Sequence, residues 1–148
     1  MDNETISICV MTAADTEAVA AMEESIFNEP WKLRDFEELL DKPDRGCIVA
    51  KAGNEIAGCV VFHNIAGDVD ITNVQVKVEY RGRGIGKHLM TEAMEKARAA
   101  GGERFTLEVR ESNLAAISLY ESLGFAAEGK RKDFYRNPRE DAIVMWKY

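Results

Sequence analysis

The chain reads Asn73-Val74-Gln75-Val76-Lys77-Val78-Glu79-Tyr80-Arg81-Gly82-Arg83-Gly84-Ile85-Gly86-Lys87 near the middle of its 148 residues. The first part belongs to a strand-like run over Val69–Val78 that predicts a β-strand. From Gly84 to Ala100 apolar residues recur at helical spacing, which predicts a helix. Closely spaced glycines between the two elements let the backbone adopt positive φ and approach a ligand. The stretch therefore predicts a strand, a glycine-rich turn and a helix.

The glycine-rich turn is locally basic. Between Lys77 and His88, four basic side chains and one acidic side chain give a net charge of +3. The start of a helix offers free N–H groups and a positive dipole end to an anion. Lys87 stands where the dinucleotide-binding pattern needs glycine, and His88 stands where the phosphate-binding loop needs Ser or Thr. Two interpretations stay open: a pyrophosphate cradle or a glycine-rich turn with solvated arginines.

The remaining chain predicts elements in the order β-α-α-β-β-β-α-β-α-β-β. The predicted strands are Ile6–Met11, Cys47–Lys51, Ile56–His63, Val69–Val78, Phe105–Arg110, Phe125–Glu128 and Ala142–Trp146. The predicted helices are Ala13–Phe27, Leu33–Leu40, Gly84–Ala100 and Leu114–Leu123. This order predicts an α/β (α+β) fold with a mixed, mostly antiparallel central sheet and helices on both faces. The length predicts a single domain over residues 1–148.

The composition limits the classes of molecule and the compartment that we expect for this protein. A net charge of −7 argues against direct nucleic-acid binding, which needs a basic surface. No apolar run approaches the roughly 20 residues of a membrane span, and no signal peptide is visible, so we expect a cytoplasmic protein with no membrane partner. The three cysteines, Cys9, Cys47 and Cys59, are expected to be buried, and no donor spacing predicts a metal site. The basic run Lys130–Lys132 is interpreted as a solvated face.

A second candidate site lies in the C-terminal half. Alternation along Phe105–Arg110 places Glu108 on the polar face of its strand, and helical spacing places Asn113 and Tyr120 on one side of the next helix. From the residue types alone, Glu108 can be a surface carboxylate, Asn113 a helix N-cap and Tyr120 a core residue.

The glycine-rich turn carries a family resemblance. Arg81-x-x-Gly84-x-Gly86 resembles the Q/R-x-x-G-x-G/A motif of the GCN5-related N-acetyltransferase (GNAT) superfamily. The resemblance implies a GNAT-like sheet, a loop that binds the pyrophosphate of acetyl-CoA, and a preceding strand that contacts its acetyl-pantetheine arm. The cofactor-binding residues that it implies are Val74, Gln75, Val76, Arg81, Gly82, Arg83, Gly84, Ile85, Gly86, Lys87, Asn113 and Tyr120.

The C-terminal half of the chain resembles one branch of that superfamily. Leu107-Glu108-Val109-Arg110 and Leu119-Tyr120-Glu121-Ser122-Leu123-Gly124-Phe125 are similar to runs in RimI-type alanine N-acetyltransferases, which acetylate the N-terminus of a small-subunit ribosomal protein. The resemblance implies that Glu108 is the general base, that Asn113 contacts CoA and that Tyr120 is the general acid. Phe134-Tyr135 departs from the Tyr-Tyr pair that is common there and leaves the choice of substrate open.

The resemblance implies an acetyl-CoA-dependent N-acetyltransferase without a metal, acting by direct transfer on a protein N-terminus. The first acceptor that it implies is the N-terminal alanine of a ribosomal protein. A peptide α-amine, with a pKa of about 7.7–8.0, is easier to deprotonate than a lysine at about 10.4. Two alternatives stay open: a GNAT enzyme for a small amine or lysine, and a CoA-binding regulatory module without turnover. Residues 1–45 carry a net charge of −8. We hypothesise that Glu23, Glu24, Glu29 or Asp35 attracts a cationic peptide.

Overall fold

Seven strands and four α-helices follow one another along residues 5–27 and 30–148, which are the residues that the structure, a computed structural model, describes. The strands are β1 (Ile6–Val10), β2 (Arg45–Ala52), β3 (Glu55–Ile65), β4 (Asp68–Val76), β5 (Arg104–Arg110), β6 (Ala126–Tyr135) and β7 (Glu140–Lys147). The helices are α1 (Thr16–Ile26), α2 (Leu33–Glu37), α3 (Ile85–Ala99) and α4 (Leu114–Ser122). The predicted order of elements is confirmed.

The strands form one sheet in the order β1-β2-β3-β4-β5-β7-β6. Neighbouring strands are antiparallel except for β4 and β5, which are parallel and are connected through α3. A parallel pair needs a long crossover, and the helix that follows the glycine-rich turn supplies it. The mixed, mostly antiparallel sheet is therefore confirmed.

Helices cover both faces of the sheet. Leu89 and Met90 of α3 and Tyr120 of α4 pack into a core on one face. On the other face, Met22 of α1 and Phe36 of α2 pack into a second core, which also holds Cys47, Val49, Cys59 and Val61. The prediction of helices on both faces is confirmed.

Several predicted boundaries and one burial were wrong. The strand predicted to reach Val78 ends at Val76, because the chain turns into a short 3-10 helix over Val78–Tyr80. The strand predicted to end at Glu128 continues to Tyr135, because it keeps pairing with β7. Helix α2 ends at Glu37 rather than Leu40. Cys9 is exposed, since it lies on an edge strand with its side chain turned away from the core.

A β-bulge in β4 determines which side chains face which helices. Val61 pairs with Asn73 while Phe62 pairs with Ile71, so Thr72 is an extra residue without a partner on β3. Such a bulge reverses the alternation of side chains along the strand. Ile71 and Val74 therefore both face the core under α3, whereas Asn73 points to the opposite face, towards α1.

The sheet opens between its two parallel strands. Pairing of β4 with β5 runs from Asp68–Arg104 to Ile71–Leu107 and goes no further in the described chain. Beyond that point, β4 continues along β3 and β5 continues along β7. The two strands part, and this separation positions the site.

Candidate active site

A cleft of about 590 Å³ lies where β4 and β5 part. Both strands line it, together with residues from α1, α4, β6 and the segment that follows α1. Four of the predicted site residues meet there: Val74, Glu108, Asn113 and Tyr120. The predicted acid, base and N-cap residues, which are separated along the chain, therefore share one cavity.

Glu108 is partly exposed in the cleft and forms an ion pair. Its Oε2 lies 2.8 Å from Nε of Arg131 on β6, and 26% of its side chain is accessible to solvent. Lys130, the residue before Arg131, pairs with Glu111 at 3.0 Å. All three residues of Lys130–Lys132 are exposed, so the expected solvated face is confirmed, and Lys130 and Arg131 form ion pairs there. Among the described residues, the other carboxylate oxygen of Glu108 has no ion-pair partner, so it can accept a proton.

Tyr120 is almost completely buried at the base of the cleft. Its ring packs edge-on against Phe125 with centroids 6.1 Å apart. Burial raises the pKa of Tyr120 to about 12. The phenol therefore keeps its proton at neutral pH and can donate it, as a general acid must.

Tyr135 is a second phenol in the cleft. Burial and the negative charge of Glu108 raise the pKa of Tyr135 to about 12. The Arg110 guanidinium lies 4.5 Å from the centroid of its ring, and Phe134 packs against it edge-on. These contacts build an aromatic wall at the mouth of the cleft.

Asn113 serves as the N-cap of α4. Its Oδ1 accepts a hydrogen bond of 3.2 Å from the backbone N–H of Ala116. The N-cap prediction is confirmed, and Asn113 also lines the cleft. Its amide nitrogen has no recorded protein acceptor among the described residues and can donate to a ligand.

The glycine-rich turn has the backbone that its sequence predicts. Gly82 and Gly84 have φ of +80° and +77°, which is the left-handed region. A Cβ at either position would meet no atom within 4 Å, so the requirement for glycine is conformational rather than steric. At Gly86 a Cβ would lie 3.3 Å from Cδ2 of Leu119, so α4 packs closely against this turn.

The turn offers N–H groups and positive charge. The first turn of an α-helix leaves its N–H groups without intrahelical partners, and α3 has no side-chain cap among the described residues. Arg81 Nε donates to the Val76 carbonyl at 2.9 Å, and the Arg83 guanidinium lies over the Tyr80 ring. Lys77 pairs with Glu55 at 3.0 Å. This arrangement suits a phosphate-bearing ligand.

Gln75 differs from its neighbours in where its side chain lies. Its Nε2 donates to Glu23 Oε1 at 2.7 Å and approaches Cys59 Sγ at 3.2 Å, on the face opposite to Val74 and Val76. Only the backbone of Gln75 is therefore available to a ligand in the opening between the strands.

Sequence reasoning missed a polar network around Glu23, which is only 2% exposed. Glu23 Oε2 accepts hydrogen bonds from the Trp31 backbone N–H at 3.0 Å and from Asn73 Nδ2 at 3.1 Å. Burial raises the pKa of Glu23, and these hydrogen bonds oppose the rise. A signal for the network was present, since Asn73 and Gln75 are polar residues at alternate positions of a central strand.

The four acidic residues of the attraction hypothesis have different surroundings. Glu23 lines the cleft. Glu24 is exposed on α1, and Asp35 accepts a hydrogen bond from the Lys32 backbone N–H at the start of α2. Glu29 lies outside the described residues. Of the three that the structure describes, only Glu23 contributes to the cavity.

Residues 16–125 match the model of the Acetyltransferase (GNAT) family. The chain therefore belongs to this family of acyltransferases. It is 36% identical over 137 residues to a candidate ribosomal protein bS18-alanine N-acetyltransferase of Bacillus subtilis, covering 92% of this chain and 91% of that protein. It is 33% identical over 150 residues to the N-alpha-acetyltransferase RimI of Mycobacterium tuberculosis, covering 97% of this chain and 93% of that protein. This chain is thus an acetyltransferase of RimI type.

Solved structures give the same fold. The crystal structure of the ribosomal-protein-S18-alanine N-acetyltransferase from Escherichia coli superimposes with a TM-score of 0.86 at 27% identity, covering 97% of this chain and 93% of that one. Arabidopsis thaliana NAA60 in complex with acetyl-CoA superimposes with a TM-score of 0.85 at 20% identity, covering 96% of this chain and 97% of that one. In the part of the chain that the structure describes, no helix is long and apolar enough to span a membrane.

Proposed function

We propose that the protein transfers the acetyl group of acetyl-CoA directly to the α-amino group of a protein N-terminus. The acceptor that we propose first is the N-terminal alanine of a ribosomal protein. The observation that carries the proposal is the meeting of a partly exposed carboxylate, Glu108, and a protonated phenol, Tyr120, in one cleft. Relatives named for alanine acetylation of ribosomal protein bS18 support the acceptor. Such an acceptor is found in the cytoplasm.

The glycine-rich turn fits the donor substrate. Acetyl-CoA supplies the acetyl group as an activated thioester and carries a pyrophosphate. The N–H groups at the start of α3, with Arg81, Arg83 and Lys87, would hold that pyrophosphate. The edge of β4 at Val74 and Val76, which pairs with no strand of the described chain on the β5 side, would hold the pantetheine arm. Asn113 would donate its side-chain N–H to the same ligand.

The two catalytic residues would act on protons. Glu108 accepts the proton that the acceptor amine loses as its nitrogen forms a bond to the acetyl carbon, directly or through a water. Tyr120 donates its proton to the sulfur as the carbon–sulfur bond breaks, so that CoA leaves as a thiol. The proton count balances, because one proton is taken from the amine and one is given to the thiolate. No covalent acyl-enzyme is required.

The acceptor class follows from the cost of deprotonation. A peptide α-amine with a pKa of about 7.7–8.0 is partly neutral at pH 7.5, whereas a lysine at about 10.4 must pay roughly 3 kcal/mol more. The aromatic wall of Phe134 and Tyr135 would pack against the first side chains of a peptide.

A peptide panel tests this function. The panel contains a peptide that begins Ala-Arg-Tyr, the same peptide with a blocked N-terminus and an internal lysine, and a small polyamine. Thiol release from acetyl-CoA is followed, and the intact mass and fragment masses locate the acetyl group. We expect release with the free N-terminus and a modified first residue. Release only with the polyamine or the lysine peptide would establish the alternative acceptors, and binding of CoA with no release from any amine would establish a regulatory module.

A further inference from the structure

Glu23 is a buried carboxylate whose hydrogen-bond partners in the described chain are all neutral. Its hydrogen-bond donors are the side-chain amides of Asn73 and Gln75 and the backbone N–H of Trp31. No Lys, Arg or His of the described residues forms an ion pair with it. A buried charge that is stabilised only by dipoles costs free energy relative to one that meets a cation. A cationic group bound beside Glu23 would therefore lower the free energy of this site.

Asn73 lies beside Glu23 on the same wall of the cleft. Its side chain is 7% exposed, and its Nδ2 is used by Glu23, so that Oδ1 is buried with no hydrogen-bond partner among the described residues. Asn73 and Glu23 both line the cleft that holds Glu108 and Tyr120. A buried carbonyl without a donor costs about 1–3 kcal/mol. A ligand with several N–H groups would satisfy both residues.

We propose that Glu23 and Asn73 form the subsite that receives the positively charged α-amino group of the acceptor. That group releases one proton to solvent before it attacks, and Glu108 accepts the second proton as the nitrogen–carbon bond forms. An ammonium group has three donors and no acceptor, which matches one carboxylate and one amide oxygen. This inference rests on the proposed function, since it identifies where that function binds its acceptor.

The two carboxylates of the cleft would then have separate tasks. Glu108 already has Arg131 as a cationic partner at 2.8 Å, so a second cation gains less there than it gains beside Glu23. Glu23 is almost fully buried and screened little by solvent, whereas 26% of the Glu108 side chain is exposed. The buried carboxylate binds the charged amine, and the solvent-accessible one takes the proton.

The substitution Glu23→Gln tests the subsite without dismantling the network. Gln75 Oε1, like Asn73 Oδ1, is buried and has no hydrogen-bond partner among residues 5–27 and 30–148. Both amides can rotate and accept hydrogen bonds from the new side-chain NH₂, so the variant loses the charge and keeps its hydrogen bonds. Glu17→Gln is the matched control, because it removes the same charge from an exposed position of α1 that does not line the cleft.

We expect Glu23→Gln to raise the peptide KM by about 10- to 100-fold, the range for losing a hydrogen bond to a charged group. The acetyl-CoA KM and the Tm should stay close to those of Glu17→Gln. Binding is then measured by calorimetry on CoA-saturated enzyme, with an Ala-Arg-Tyr peptide and with the same peptide lacking its α-amino group. The wild-type protein should prefer the amino peptide by at least about tenfold, and Glu23→Gln should bind the two peptides equally.

The outcomes separate the subsite from the function. If the wild-type protein acetylates the peptide and Glu23→Gln keeps both its KM and its preference for the amino peptide, the subsite is wrong and the function stands. If the wild-type protein neither binds nor acetylates the peptide, both the subsite and the proposed function are wrong. Asn73→Ala provides an independent variant if Glu23→Gln does not fold. It should weaken the preference for the amino peptide in the same direction, and an unchanged preference would overturn the subsite.

Discussion

The glycine-rich turn allows a test in which shape is constant and only charge changes. Gly84 starts α3 with φ of +77°, and a Cβ there would meet no atom within 4 Å. Asn and Asp tolerate the left-handed region better than other residues do. Gly84→Asn and Gly84→Asp therefore cost similar conformational energy, in the free and in the CoA-bound protein alike. They differ by one negative charge beside the proposed pyrophosphate site.

The magnitude follows from Coulomb's law. A unit charge about 7 Å from one phosphate charge costs about 0.6 kcal/mol in bulk water and about 2.4 kcal/mol at an effective dielectric constant of about 20. With two phosphate charges the cost is about 1.2–4.7 kcal/mol, so we expect Gly84→Asp to bind CoA about 10- to 10³-fold more weakly than Gly84→Asn. The stability of the free protein should move the other way, because an acidic residue at a helix N-terminus is stabilising by about 0.3–1 kcal/mol.

Calorimetric titration with CoA at low ionic strength measures the difference between the two variants. At about 1 M salt the Debye length falls to about 3 Å, so the difference should shrink. Acetyl-pantetheine, which lacks the pyrophosphate, should have the same KM with both variants. Equal CoA affinities for Gly84→Asp and Gly84→Asn at low salt would refute the assignment of the turn as the pyrophosphate site.

Three further predictions concern the cleft. Tyr120→Phe and Glu108→Gln should each lower kcat by about 10²–10⁴ while the thermal melt stays cooperative; near-native rates in both would exclude the acid–base assignment. The unfolded chain loses the Tyr120 proton near pH 10 and the folded protein holds it to about pH 12. Tyr120 should thus lower the free energy of unfolding by about 1.4 kcal/mol per pH unit in that window, in addition to the contribution of Tyr135, whose pKa is also raised to about 12. Denaturant titrations of Tyr120→Phe should therefore find a slope that is smaller than the wild-type slope by the Tyr120 contribution. If Glu23, Glu24, Glu29 or Asp35 attracts a cationic peptide, raising the salt concentration should raise the peptide KM, and an unchanged KM would show that the attraction is absent.

Local patterns were sufficient for the order of elements and for the turn. Apolar residues at helical spacing placed α3 within a residue of its observed bounds, and the glycines at positions 82 and 84 have the positive φ that their spacing indicates. Asn113 caps α4 as its residue type predicts. These features depend on interactions between residues that are close in the chain, which a sequence states directly. The ends of β4 and β6 depended on pairing with other strands and were wrong.

The composition of the cleft required tertiary structure. Glu23 and Asn73 are 50 residues apart, and the contact exists because the bulge at Thr72 turns Asn73 towards α1. Alternation along a strand cannot predict such a reversal, since a bulge is a property of the pairing of two strands. Arg131 reaches Glu108 because β6 and β5 flank β7, which local patterns do not specify. The sequence by itself thus determined the elements, the glycine-rich turn and the family motif, whereas long-range pairing decided which charges share the cavity.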